Sequence, residues 1–220
     1  MPLESQQPDS TKEALLQAAA PIFAHKGYPL ARVRDIAASA GTNVAAINYH
    51  FGSKEGLYIS VLRRLISAAM ERFPLAAPTG TKDLEPDQRF GRAVSSLVRR
   101  VTAAVSVDIL SEIMVREMAH PTMALDQIAR ELIKPQFRQM SGIVAELLGP
   151  DVQQQEIETA TFSVAGQCLF YLLARPLIER LAPQVLPGSE ADLERLSRHI
   201  TTFSLAGLKE TGRRIKGVSS

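Results

Sequence analysis

An all-α chain in two domains is what these 220 residues predict. Apolar side chains recur three and four apart along most of the chain. No stretch alternates apolar and polar positions with β-branched or aromatic residues. One Pro/Gly/Thr-rich break, FPLAAPTGTKDLEP at 73–86, interrupts the helical pattern and is the expected boundary between a first domain, 1–73, and a second, 87–220.

The first helix is expected from about Asp9–Thr11, with Leu15, Ala18, Ala19, Ile22 and Phe23 on one stripe, and ends at Gly27. Pro21 should kink it, because proline removes a backbone donor. Short helices follow at about Val33–Ala40 and Val44–His50, separated by Gly41. A fourth is capped by Ser53 and runs to about Phe73. Beyond the break, helices are expected at roughly 87–105, 107–119, 122–148 (with a bend or break at Pro135), 153–181 and 189–211, followed by a frayed basic tail, KETGRRIKGVSS.

Composition narrows the function classes. The chain is 45% apolar, enough for a sizeable core, and 22% charged. Mean hydropathy is zero. The opening MPLESQQPDSTKE lacks the pattern of a secretory signal, and the longest apolar span, Ser163–Ala174, is too short to cross a bilayer; a cytoplasmic protein is expected. The single cysteine, Cys168, lies in an apolar helical stretch and reads as a buried thiol. Net charge is +2, carried by residues 1–70, where seven Lys/Arg stand against five Asp/Glu.

Enzyme signatures are missing. No stretch fits a phosphate-binding loop, a nucleophile elbow or H-E-x-x-H. The four histidines, His25, His50, His120 and His199, are scattered without metal-ligand spacing. No cofactor or metal is expected. Glu117 and His120 stand one helical turn apart, an arrangement more common at helix ends and pocket linings than in catalysis.

VRDIAASAGTNVAAINYHF, residues 33–51, has the pattern of a helix-turn-helix. Val33, Ile36 and Ala37 face inward, and the small Ala37 permits close approach. Gly41 suits the tight connection, and Asn43 is placed to cap the next helix. Ile47 and Phe51, four apart, point to the core, with Val44 at its edge. Asn43, Ala45, Ala46, Asn48, Tyr49 and His50 are left mostly outside. Such a face suits a DNA groove, and it also suits an ordinary solvated helix.

VRDIAASAGTNVAAINYHFGSKEGLYISVLRR, together with Phe23-Ala24-His25-Lys26-Gly27-Tyr28, Ile36-Ala37-Ala38-Ser39-Ala40-Gly41 and His50-Phe51-Gly52-Ser53-Lys54-Glu55-Gly56-Leu57, resembles the DNA-binding domain of the TetR family of bacterial transcriptional regulators. The resemblance covers about residues 10–70. It implies a DNA-contacting set of Arg32, Arg34, Thr42, Asn43, Val44, Ala45, Ala46, Asn48, Tyr49, His50 and Lys54, within a helix-turn-helix of about 32–51. Lys54 would meet a phosphate at a helix start. Asn48 stands where the family usually has Tyr. Ala31-Arg32 replaces the usual Thr/Ser cap, which makes Arg32 and Arg34 candidates for phosphate contact.

AAINYHFGSKEGLY, REMAHPT, IKPQF and GQCLFYLLARP resemble the CecR-like subgroup. That resemblance implies a three-helix DNA-binding domain, a helical domain for ligand binding and dimerisation, and a homodimeric repressor released from a palindromic operator by a small-molecule effector. SVAG at 163–166 and SLAG at 204–207, with Phe162, Gly166, Leu169, Leu196, Ile200, Phe203 and Gly207, are the expected dimer interface. Met114, Arg116, Glu117, Met118, His120, Phe137, Met140, Gln167 and Tyr171 are the expected effector lining. The alternative is a helical small-molecule-binding protein that retains the helix-turn-helix only as scaffold.

Overall fold

The computed structural model describes residues 7–75, 84–102 and 107–218, and among these every regular element is helical. The elements are α1 (Gln7–Leu30), α2 (Val33–Ser39), α3 (Val44–Phe51), α4 (Lys54–Arg72), α5 (Pro86–Thr102), α6 (Val107–Ala119), α7 (Met123–Ile128), a π-helical turn (Ala129–Ile133), α8 (Lys134–Leu148), α9 (Gln154–Leu173), α10 (Arg175–Leu181), a 3-10 turn (Pro183–Val185) and α11 (Glu190–Val218). The all-α class read from the sequence is the observed one. Most of the break at 73–86 and the end of the helix expected at 87–105 lie outside the described residues.

Three details differ from expectation, at Pro21, Ala174 and the C-terminal tail, and one at Pro135 agrees. Pro21 sits in α1 without breaking it; the departure from helical geometry is at Gly27, whose φ is 72°. The break expected at Pro135 within 122–148 is present, as the π-helical turn just before it, where the proline ring and missing N–H disfavour an ordinary turn. The helix expected at 153–181 breaks at Ala174 with a bend of 72°, one residue ahead of the Arg175-Pro176 start of α10. The tail expected to fray is helical to Val218, supported by pairs from Glu210 to Arg213 and Arg214.

The chain forms two compact units, each drawn from separated stretches. The first comprises Met1–Ala68 and Val105–Leu132, and the second comprises Ala69–Ala104 and Ile133–Ser220. The compact units therefore group α6 and α7 with the N-terminal helices. Leu15, Phe23, Ile36, Ile47, Leu57, Leu62, Ile113 and Ile128 fill the core of the first unit. The core of the second gathers Phe90, Val94 and Val98 of α5, Val144 and Leu148 of α8, Val164 and Cys168 of α9, and Ile200 and Leu208 of α11. Among the described residues no single helix is long and apolar enough to cross a membrane; the bent pair α9 and α10 passes that test only by length and composition.

Glycine marks the closest backbone approach in each unit. A Cβ on Gly56 would lie 2.0 Å from the Phe51 carbonyl oxygen, and one on Gly212 would lie 2.6 Å from that of Leu148. Gly56→Ala is therefore expected to destabilise the chain by at least about 2 kcal/mol, since two backbones must part. Gly142→Ala, where a Cβ meets nothing within 4 Å, should instead be neutral or stabilising by up to about 1 kcal/mol; urea denaturation of the two variants measures both. Burial pushes the Cys168 thiol up to about 12. At pH 8 it should remain protonated and resist iodoacetamide until the chain is unfolded, as mass spectrometry of native and urea-treated samples would show.

Candidate nucleic-acid interface

α2 begins at Arg32, whose extended backbone (φ −101°, ψ 131°) occupies the cap position without a side-chain hydrogen bond. Asp35 in the first turn complements the positive end of the helix and pairs with Lys26 at 2.8 Å. That pair holds the Asp35 carboxyl below its ordinary range. Ile36 and Ala37 are buried, as expected, while Val33 is half-buried. The connection turns through Gly41 at φ 65°, where an L side chain would be strained. The Thr42 amide donates to the Ala37 carbonyl at 2.9 Å and closes the turn.

Asn43 is extended, and its Oδ1 accepts from the Ala46 amide at 3.1 Å, which makes it the cap of α3. Ile47 is 0% exposed and fixes the inner face of α3. Phe51, expected in the core, is only half-buried at the end of the helix. Gly52 then reverses the chain at φ 74°, and Ser53 Oγ accepts from the Gly56 amide at 3.0 Å to cap α4. These two caps and two left-handed glycines set the angle at which α3 leaves the bundle.

With Ile47 inward, Ala45, Asn48 and Tyr49 are exposed, and Thr42, Val44, Ala46 and His50 are half-buried. Tyr49 is 81% exposed and meets the His50 ring edge-on at 4.9 Å. Arg32 and Arg34 are exposed, and neither joins an ion pair among the described residues. Lys54 is differently placed. Its Nζ donates to the Pro29 carbonyl at 3.2 Å and lies 4.6 Å from the centre of the Tyr28 ring. Burial lowers its pKa.

Of the expected effector lining, Met114, Arg116, Glu117, Met118 and His120 belong to the first unit, and Phe137, Met140, Gln167 and Tyr171 to the second. Several have internal partners. Glu117 is 2% exposed; its Oε2 accepts from the Tyr58 hydroxyl at 2.8 Å, and its Oε1 accepts from the Thr122 amide at 2.7 Å and hydroxyl at 2.8 Å. Burial and this carboxylate raise the Tyr58 pKa strongly. Arg116 donates to the carbonyls of Ala24 and His25 at 3.0 and 3.1 Å. Met140 is a core residue, Tyr171 packs against the same core, and Gln167 donates to Ser204 Oγ at 3.0 Å. The rings of Phe137 and Phe162 meet at a tilt of 38° with centres 4.7 Å apart. Met118 and His120 are exposed.

The expected dimer interface divides. Phe162 (65% exposed), Phe203 (67%), Leu169, Gly166 and Gly207 lie at the surface of the second unit, and a Cβ on either glycine would meet nothing within 4 Å. Leu196 and Ile200 are instead inside that unit's own core, where they are unavailable to a partner. Sequence reasoning missed Tyr58 and Thr122 as partners of Glu117. Thr122 caps α7, and its position before a helical run was a readable signal.

A model of the bacterial regulatory proteins of the tetR family matches residues 15–61, and a model of the C-terminal domain of the HTH-type transcriptional dual regulator CecR matches 86–208. CecR of Shigella flexneri is 29% identical over 178 residues, covering 77% of this chain and 79% of its own length. The HTH-type transcriptional repressor KstR2 of Mycolicibacterium smegmatis is 40% identical over 79 residues, 36% of this chain and 38% of its own. Among solved structures, the regulator FadR from Bacillus subtilis in complex with stearoyl-CoA superposes with a TM-score of 0.66 at 17% identity, covering 89% of this chain and 98% of that one. KstR2 of Mycobacterium tuberculosis gives 0.57 at 18%, covering 94% and 96%. These two show the shared fold. With one model on the helix-turn-helix and another on more than half of the chain, the protein belongs to the TetR family of transcriptional regulators and to its CecR-like branch, and is not an enzyme.

Proposed function

We propose that the chain is a homodimeric repressor that binds a palindromic operator and is released by a small-molecule effector, with DNA contacts in residues 1–73 and effector binding and dimerisation in 87–220. The observation that carries the DNA-contact assignment is α3 itself. Its inner residue Ile47 is wholly buried while Asn48 and Tyr49 project outward beside small Ala45, a shape suited to the major groove. Arg32 and Arg34 stand at the start of α2 with no internal ion pair among the described residues, where phosphates can take them. Lys54 joins them through the hydrogens its Pro29 contact leaves free.

Dimerisation is supported by the exposed apolar surface of α9 and α11. Phe162, Leu169 and Phe203 stand beside Gly166 and Gly207, whose missing side chains allow helices to approach. Two copies related by a two-fold axis would present two recognition helices to successive turns of one DNA face, about 34 Å apart. Repression is the mode of the relatives KstR2 and NicS by their descriptions. Effector release requires a coupling of about 1–3 kcal/mol between ligand and operator. Within the first unit, Glu117 and Arg116 of α6 bond to α4 and α1, giving a displacement of α6 a mechanical hold on the helices that flank the helix-turn-helix.

Tyr49→Ala should weaken binding to the chain's own upstream DNA by about tenfold, the loss of about 1–3 kcal/mol expected of one base or phosphate contact, with the helical signal unchanged. Fluorescence anisotropy at fixed salt measures it, and wild-type affinity in the variant would remove α3 from the interface. Phe203→Asp should turn a dimer into a monomer at micromolar concentration on light scattering, by burying a charge in the apolar contact. A variant that stays dimeric would place the interface elsewhere.

A further inference from the structure

α3 reads VAAINYHF, without an arginine or a lysine. Guanine is most often recognised by one of those two side chains, whose donors meet O6 and N7 together. Arg32, Arg34 and Lys54 all stand outside α3, at the starts of α2 and α4. What α3 itself presents is narrower. Ile47, wholly buried, fixes its inner side. At about 100° per residue, Ala45 and Tyr49 then lie nearest the opposite side, one turn apart, with Asn48 and His50 on either side of Tyr49.

The Tyr49 ring meets the His50 ring edge-on at 4.9 Å, which draws it to the side away from Asn48. Ala45 and Asn48, three apart and both exposed, are left as neighbours on the open flank. Asn43, the other amide near this surface, has its oxygen committed to the Ala46 amide at 3.1 Å. The Asn48 side chain makes no hydrogen bond to any described residue. Both open groups suit the same kind of base pair. A carboxamide holds a donor and an acceptor side by side, and adenine presents the matching N7 acceptor and N6 donor in the major groove. A methyl side chain packs on the C5 methyl of thymine. Neighbours of this kind stand about 5–6 Å apart at Cβ, a span that covers one base pair or two successive ones, which rise about 3.4 Å.

We propose that α3 reads A·T pairs: the Asn48 carboxamide takes adenine through N6 and N7, and Ala45 packs against a thymine methyl of the same or the next pair. The assignment rests on reading α3 as the helix that enters the major groove. It specifies which bases that helix distinguishes and makes Asn48 and Ala45 the residues that set the preference.

The test begins with selection by the full chain from a random library of duplexes of about 20 base pairs, long enough for two half-sites one helical turn apart. In the selected duplex each thymine is replaced singly by deoxyuridine, which removes only the C5 methyl. Each adenine is replaced singly by 7-deazaadenine, which exchanges N7 for a CH group. Fluorescence anisotropy at fixed salt gives the affinity for each duplex. In each half-site one 7-deazaadenine should weaken binding about fivefold or more, and one deoxyuridine, in the same or the adjoining pair, about threefold. Asn48→Ala should lose the response to 7-deazaadenine and keep that to deoxyuridine, and Ala45→Gly should do the reverse. Both positions are exposed, so neither change disturbs the core. Indifference of the wild-type chain to either analogue, or a response that survives in the variant expected to lose it, would overturn the proposal. The analogue scan uses the unmodified chain and decides whatever becomes of the variants. A selected duplex that tolerates the analogues leaves operator binding standing and overturns only the base assignment, whereas selection that enriches no sequence overturns both.

Discussion

A helix of eight residues makes too few internal hydrogen bonds to persist alone in water, so α3 exists because Ile47 is withdrawn completely into the bundle and Asn43 closes its first turn. The burial is worth about 1.5–3 kcal/mol and the cap about 1 kcal/mol, comparable with what nucleating a short helix requires. α2, of seven residues, is in the same position and leans on Ile36 and Ala37. The contact at Gly56 completes the arrangement, since α4 can pass under Phe51 only where there is no Cβ. The outward face of α3 is therefore what remains after its inner side has been fixed, and its direction is inherited from the residues that bury and cap the helix.

A second set of interactions binds α6 into the same unit. The Glu117 carboxylate, sealed from water, would be costly without partners; three donors from α4 and the start of α7 satisfy it. Arg116 on the adjacent position reaches the carbonyls near the Gly27 break of α1, where the helical hydrogen-bond ladder is interrupted. Successive side chains on one helix thus hold two of the helices that carry the helix-turn-helix. Their use in internal bonds makes Arg116 and Glu117 structural connectors within the first unit, a role that the proximity of Met114 and Met118 in sequence did not suggest.

Local signals in the chain were legible where the cause is local. Gly41, Asn43 and Ser53 act within three or four residues of themselves, and each was assigned from residue type and spacing. Long-range pairs left no such trace. Lys54 finds Pro29 and Tyr28 across the bundle, and Glu117 finds Tyr58 from 59 positions away, so neither pairing could be read from a window. Leu196, Ile200 and Phe203 fall within one narrow stripe on a helical wheel, yet two are core and one is exposed, because the stripe's edge depends on what packs beside it. The bend at Ala174 was obscured by the apolar run on both sides of it, where periodicity alone gives no boundary.

Lys54 has a further consequence for how the protein finds DNA. Its hydrogen bond to the Pro29 carbonyl and its seat on the Tyr28 ring fix where the ammonium stands without cancelling its charge, since both partners are neutral. On the proposed reading, Lys54, Arg32 and Arg34 are the cations that meet phosphates near α3, in a chain whose net charge is only +2. With so small a net charge, that reading ties residence on an operator to the fit of a few side chains in a groove, and hence to the angle at which α3 is held.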